Sequence, residues 1–250
     1  KYSLMFTYQI KIEYLGTNFV GWQRQKNDLS VQEALEQVLL KRLKEKITVI
    51  GSGRTDAGVH ATEQSAHFKT KQHIDDRDTF ISSVNFFLSK YPISILSIKK
   101  KPKRFHARYS AIKRTYKYFI INRRSSLVIE KNKAWHIRKK INIELMKKGA
   151  KILKGTHDFS TFRSSSCTAK SPVKTLNKVN IKKNKNKIVL IFVSKSFLQQ
   201  QVRSMVGSLK YLGEGKWSLD YFRKVFLSKK RSMCAPPAPA CGLYLHKVNY

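Results

Sequence analysis

Residues 8–14 read YQIKIEY, in which Tyr8, Ile10, Ile12 and Tyr14 alternate with Gln9, Lys11 and Glu13. That is the period of a half-buried strand. In the next block, SVQEALEQVLLKRL (30–43), apolar residues fall at 31, 34, 35, 38, 39 and 43, the spacing of one helix face. Ser30, with Glu33 three residues on, predicts a capped helix start. ITVIGSG (47–53) reads as a short strand and EQSAHFKTK (63–71) as another, with Ala66 and Phe68 on one face. DTFISSVNFFL (78–88) reads as a helix capped by Asp78, and ISILSIKK (93–100) returns as a strand. The order is β-α-β-β-α-β.

The second half repeats it. RTYKYFIIN (114–122) is a strand and IELMKKGAKIL (143–153) a helix after Asn142, while TLNKVNIKK (175–183) and KIVLIFVSK (187–195) are strands. FLQQQVRSMVGSLKYL (197–212) is a helix with Val202, Met205, Val206 and Leu209 inward. An extra helix, SLDYFRKVF (218–226), precedes the last strand, GLYLHKV (242–248). The expected class is α+β, with two ferredoxin-like halves, 1–104 and 105–250, joined at the Lys-rich stretch near 99–110. With the strands side by side, one continuous, mainly antiparallel sheet would carry a basic cleft between the halves.

Composition narrows the partners. Of 250 residues, 51 are Lys or Arg and 15 Asp or Glu, a net charge of +36, while 41% are hydrophobic, which suits a folded globule. A field of that sign attracts polyanions, and nucleic acid is the first expectation. The longest apolar run, IVLIFV (188–193), is too short to span a bilayer and suits a buried strand, so no membrane partner is expected. The first residues run straight into strand pattern, without signal-peptide architecture. Cys167, Cys234 and Cys241 form no C-x-x-C pair, and the histidines show no H-E-x-x-H or H-x-x-x-H spacing. Walker A and G-x-G-x-x-G patterns are missing as well, so neither a metal nor a nucleotide cofactor is indicated. These features predict a reduced, cytoplasmic protein.

In so basic a chain, GSGRTDAGVHA (51–61) places an acid, Asp56, beside Arg54 in a glycine-rich loop. As a turn residue Asp56 would be ordinary, since Asp before Gly suits a tight turn. As a functional group it would be well placed. Glycines let a ligand approach the backbone closely, and a carboxylate beside cations keeps the charge that a nucleophile needs.

GRTDAGVHA (53–61) resembles the signature loop of the tRNA pseudouridine synthase A family. YLGTNFVGWQRQ (14–25), SVQEALE (30–36), FHARYSAIKRTYKY (105–118), GTHDFSTF (155–162), FLQQQVRSMVG (197–207) and APPAPACGLYL (235–245) are similar to that family's other blocks, in the same order. The chain departs from the family's pattern after the Pro of SKYPISIL (89–96), where an acid is commoner, and within 197–201, where Gln replaces Tyr, His or Met. The resemblance implies an isomerase that turns uridine into pseudouridine at positions 38–40 of the tRNA anticodon stem-loop. It also implies that no cofactor or metal is needed and that the protein acts as a homodimer. Asp56 would be the nucleophile, Tyr116 would stack on the target uracil, and Arg203 would pair with the catalytic Asp. Arg54 would help displace the target nucleotide, as chemistry on a stacked base requires; a plain phosphate contact is its other reading. Arg108 would be a phosphate ligand. Leu243, with Gly242, would line the uracil pocket, although core packing explains Leu243 almost as well. His60, His106 and His157 read as structural, and Asp158 as an N-cap or turn acid.

Overall fold

The computed structural model describes residues 4–26 and 28–250. The protein is α+β with mainly antiparallel strands, and it divides into two compact units. Residues to Ile112 with Leu245–Tyr250 form the first, and Lys113–Tyr244 the second.

In the first unit the elements follow as β1 (Phe6–Tyr14), α1 (Val31–Leu43), β2 (Ile50–Gly51), β3 (His60–Thr70), α2 (Arg77–Leu88) and β4 (Ile93–Lys101). Strand β1 runs antiparallel between β3 and β4, and β2 adds to β3. Tyr8, Ile10, Ile12 and Tyr14 are buried, as the alternation predicts. They meet a helix layer whose Leu35, Leu39, Phe80 and Val84 are inaccessible to solvent, or nearly so. Ser30 caps α1, its Oγ accepting from the Glu33 N–H at 3.1 Å, a bond typically worth about 1 kcal/mol. Helix α2 starts one residue earlier than its pattern suggests, because Asp76 and not Asp78 accepts the Thr79 N–H, at 2.9 Å. Asp78 lies in the first turn, where an acid complements the helix dipole.

The second unit holds β5 (Lys113–Asn122), β6 (Trp135–Ile137), α3 (Ile143–Leu153), β7 (Gly155–Asp158), β8 (Val173–Asn184), β9 (Lys187–Ser194), α4 (Gln201–Gly213) and α5 (Leu219–Leu227). The last strand, β10 (Leu243–Asn249), begins in this unit and ends in the first. Antiparallel pairing links β5 to β9, β9 to β8 and β8 to β7, while β6 lies parallel to β5. The core gathers Tyr118, Ile120, Leu190 and Phe192 from the sheet with Met146, Met205, Leu209 and Phe222 from the helices. Helix α4 begins at Gln201, not at residue 197. Gln200 sits in the left-handed region at φ 60°, and the buried Gln201 turns its Oε1 back to accept the Leu198 N–H at 2.8 Å. That bond, with the Gln201 N–H on the Leu198 carbonyl at 3.1 Å, closes a turn and delays the helix by four residues. The extra strands β6 and β7 are too short to leave a periodic signal.

Candidate active site

The loop 52–59 joins β2 to β3 and carries Arg54 and Asp56. Ser52 anchors its start: the N–H donates to the Ser65 carbonyl at 2.7 Å and Oγ to Gln64 Oε1 at 2.8 Å. Gln64, fully buried, returns a bond to the Gly53 carbonyl at 3.0 Å. Past Asp56 the chain reverses in a tight turn, with Val59 N–H on the Asp56 carbonyl at 3.1 Å and Gly58 at φ 76°. Asp56 is half-buried at the turn and Arg54 is exposed.

A clamp comes from 14–22, the segment that follows β1. The pairing of β1 with β3 shifts register between Ile12 and Tyr14, and such irregularities re-aim side chains. The Tyr14 hydroxyl meets Thr55 Oγ1 at 2.8 Å. Trp22 donates its backbone N–H to the Thr55 carbonyl at 3.1 Å, and its ring lies over Gly51, where a Cβ would fall 2.6 Å from the indole. The backbone of Gly21 passes so close that a Cβ would sit 2.5 Å from the Thr55 oxygen. Thus Thr55, between Arg54 and Asp56, is held by the buried Tyr14 and Trp22, and Gly53 by the buried Gln64, while Asp56 itself is half-buried.

His60 is buried, with Nδ1 accepting the Gly16 N–H at 2.8 Å, so its proton resides on Nε2. It is a structural histidine, as the sequence suggests. Arg108 is exposed on segment 102–111, its guanidinium 5.8 Å from the Tyr109 ring centre. That segment is fastened to β3 through His67, whose Nδ1 accepts the Ala107 N–H at 3.1 Å. His106 and Phe105 pack against the His67 ring, with centroids 4.9 and 6.0 Å away.

Burial, and then the charges of His106 and Lys69, push His67 down from 6.5 to about 4. The unfolded chain therefore takes up a proton near pH 6.5 that the folded protein refuses until about pH 4. The stability involved is fully present above pH 6.5 and is lost as the pH falls through this window. The loss has a slope approaching about 1.4 kcal/mol per pH unit. Urea unfolding of wild type against His67→Gln at several pH values should show that slope only in the wild type; parallel curves would contradict it.

In the second unit Tyr116 lies on β5, is 8% exposed, and meets Phe197 edge-on at 5.1 Å. Arg203 occupies the first turn of α4 and not its middle; its Nε donates to the Ala238 carbonyl at 2.8 Å. The Ala238 N–H in turn donates to the Arg203 carbonyl at 2.9 Å. Gly207 allows this docking, since a Cβ there would fall 2.1 Å from the Pro236 oxygen. The same Pro-rich segment accepts the Tyr118 hydroxyl on Pro239 at 2.7 Å, and the Tyr118 ring lies against Gly242, next to the buried Leu243. Arg203 and Leu243 are thus set by one segment, 238–242. Burial pushes the Tyr118 hydroxyl far up, and it raises the Cys241 thiol against a backbone hydrogen bond and the Arg203 charge. Asp158 is a turn acid, accepting from the Ser160 N–H at 2.8 Å. His157 and His106 hold backbone groups, consistent with structural roles. Tyr14, Trp22 and Gln23 were not singled out from the sequence. Their signal was faint: a G-W pair ahead of a helix whose inner face carries a buried polar residue, Gln32.

The family model of tRNA pseudouridine synthases matches residues 10–110 and 150–250. The chain belongs to the tRNA pseudouridine synthase family. It is 60% identical over 246 residues to tRNA pseudouridine synthase A of Pelagibacter ubique (strain HTCC1062), covering 98% of this chain and 100% of the relative. It is 45% identical to the protein of that name from Xanthobacter autotrophicus (strain ATCC BAA-1158 / Py2), over 97% of this chain and 99% of the relative. Its identity to the one from Parvibaculum lavamentivorans (strain DS-1 / DSM 13023 / NCIMB 13966) is 42%, over 97% and 98%. The protein is an isomerase of this family, and both matched stretches of the family model carry expected site residues: Arg54, Asp56 and Arg108 in one, Arg203 and Leu243 in the other. Tyr116 falls between them. Among the described residues no helix is long and apolar enough to cross a membrane.

Proposed function

We propose that this isomerase converts uridine to pseudouridine at positions 38–40 of the tRNA anticodon stem-loop, with Asp56 as nucleophile. The observation that supports it most is the presentation of Asp56: half-buried on a turn, directly after Thr55, whose side chain and carbonyl are held by Tyr14 and Trp22 with Gly21 packed against them. A carboxylate held this way loses little freedom when a nucleoside arrives, and fixed geometry of this kind lowers barriers. The reaction breaks the C1′–N1 bond, turns the uracil and forms C1′–C5, expelling the C5 hydrogen as a proton. An Asp can open it by adding to C6, by displacement at C1′, or by taking the C2′ proton, and each route needs the same ionised group facing the nucleoside.

Tyr116 offers its ring to the uracil and Leu243 an apolar wall. Arg54, Arg108 and Arg203 serve as substrate-binding cations within a chain of net charge +36. Arg54 enters the stem to help displace the target nucleotide. The enzyme works in the cytoplasm as a homodimer.

Unmodified tRNA transcripts carrying U38, U39 or U40, incubated with the protein and mapped for pseudouridine, test the position. Modification confined to those sites is expected. Pseudouridine elsewhere would overturn the assignment, and binding with no modification would leave an RNA-binding module of the same fold.

A further inference from the structure

We infer that Gln23 is a positioning residue for Arg54, the outer link of a hydrogen-bond relay that starts inside the first unit. The inference rests on the proposed function only for what Arg54 then does to RNA.

The inner end is Glu36 on α1, whose side chain is 11% exposed. Its Oε1 accepts the Val49 N–H at 3.0 Å and Gln32 Nε2 at 2.9 Å, and its Oε2 meets Arg24 at 3.2 Å. Gln32, one turn earlier on the same helix face, is 9% exposed. Its Oε1 accepts twice, from the Arg24 N–H at 3.1 Å and from Gln23 Nε2 at 2.8 Å. Gln23 Oε1 finally accepts Arg54 Nε at 3.2 Å.

Chemistry fixes the direction of this chain. An ionised carboxylate only accepts, so Gln32 must turn its amide nitrogen to Glu36. Its oxygen then faces Arg24 and Gln23, which forces Gln23 to present its own oxygen outward. Neither amide can flip without placing two donors or two acceptors face to face. The single outward acceptor takes Arg54 by Nε, the inner edge of the guanidinium, and leaves the Nη groups on the outer edge for a phosphate or a base. An exposed Arg two residues before Asp56 would otherwise sample many rotamers, at an entropic cost on binding RNA. Held at Nε, it meets RNA in one orientation.

The test is a double-mutant cycle on kcat/KM for pseudouridine formation in an unmodified tRNA transcript, with Gln23→Ala, Arg54→Ala and the pair. Gln23→Ala is expected to cost about five- to tenfold, the size of one ordinary net hydrogen bond at an exposed position. In the Arg54→Ala background it should cost nothing further. The same loss in both backgrounds, or none in either, would overturn the inference, since a merely structural Gln23 would act regardless of Arg54. A second readout is independent of RNA chemistry. The Nε–H resonance of Arg54 in ¹⁵N-arginine-labelled protein, identified by its disappearance in Arg54→Lys, should exchange slowly in the wild type and fast in Gln23→Ala. Unchanged exchange would also overturn the inference. Wild-type protein that leaves tRNA unmodified would refute the functional reading alone, with the resonance still reporting on the relay.

Discussion

Replacing Asp56 by Ala should abolish pseudouridine formation, lowering turnover by about 10⁴-fold or more, as loss of a nucleophile does elsewhere. The fold should barely notice. The turn is closed by the Asp56 carbonyl, which accepts the Val59 N–H at 3.1 Å and is kept in the variant. The side chain is half-buried, and the contacts from Tyr14, Trp22 and Gly21 meet Thr55 and not the Asp56 side chain. Thermal unfolding should therefore shift by no more than about 1 kcal/mol equivalent, and tRNA binding, spread over many Lys and Arg residues, should persist with its steep salt dependence. Activity lost together with the fold would contradict this division of labour.

Gly21→Ala should act in the opposite sense, through structure first. Gly21 stands at φ 104°, beyond the left-handed region that a side chain tolerates. A Cβ there would also lie 2.5 Å from the Thr55 oxygen and 3.1 Å from the Asp56 carbonyl carbon. Backbone strain and the clash together should cost about 2–4 kcal/mol, a fall in Tm of about 5–15 °C for a chain of this size. Relief by moving the loop would carry Asp56 with it, so activity should fall more than stability at temperatures where the variant is folded. Gly215→Ala is the matched comparison: φ is also positive, at 74°, but nothing lies within 4 Å of its Cβ. That variant should lose only about 1 kcal/mol and stay active. Equal effects at the two glycines would show that close approach at Gly21 is unimportant.

Much of this architecture was legible because period and burial agree. The alternation of YQIKIEY and the stripe 31, 34, 35, 38, 39, 43 become β1 and α1 with those residues buried. Local chemistry was ambiguous where two choices looked alike. Asp76 and Asp78 both suit a cap, and only the Thr79 N–H at 2.9 Å decides for Asp76. Likewise the apolar spacing of 197–212 carries no sign that Gln200 adopts φ 60° and delays α4. The loop with Arg54 and Asp56 stood out by composition, but what holds it did not. Tyr14 to Thr55 and Gln23 to Arg54 are contacts between residues 41 and 31 positions apart, set by the pairing of β1 with β3. Arg203, seven residues into the expected 197–212 helix, stands in the first turn of α4 because the helix starts late, and its bond to the Ala238 carbonyl depends on a segment 35 positions away.

Tritium release from tRNA carrying [5-³H]uridine tests the central claim most directly, because forming C1′–C5 must expel the C5 hydrogen. Wild type and Asp56→Ala would be assayed together, with gel shifts on the same samples. The wild type should release tritium, while the variant binds the tRNA and releases none. Equal release by both would show that Asp56 is only a turn residue and that another group starts the reaction.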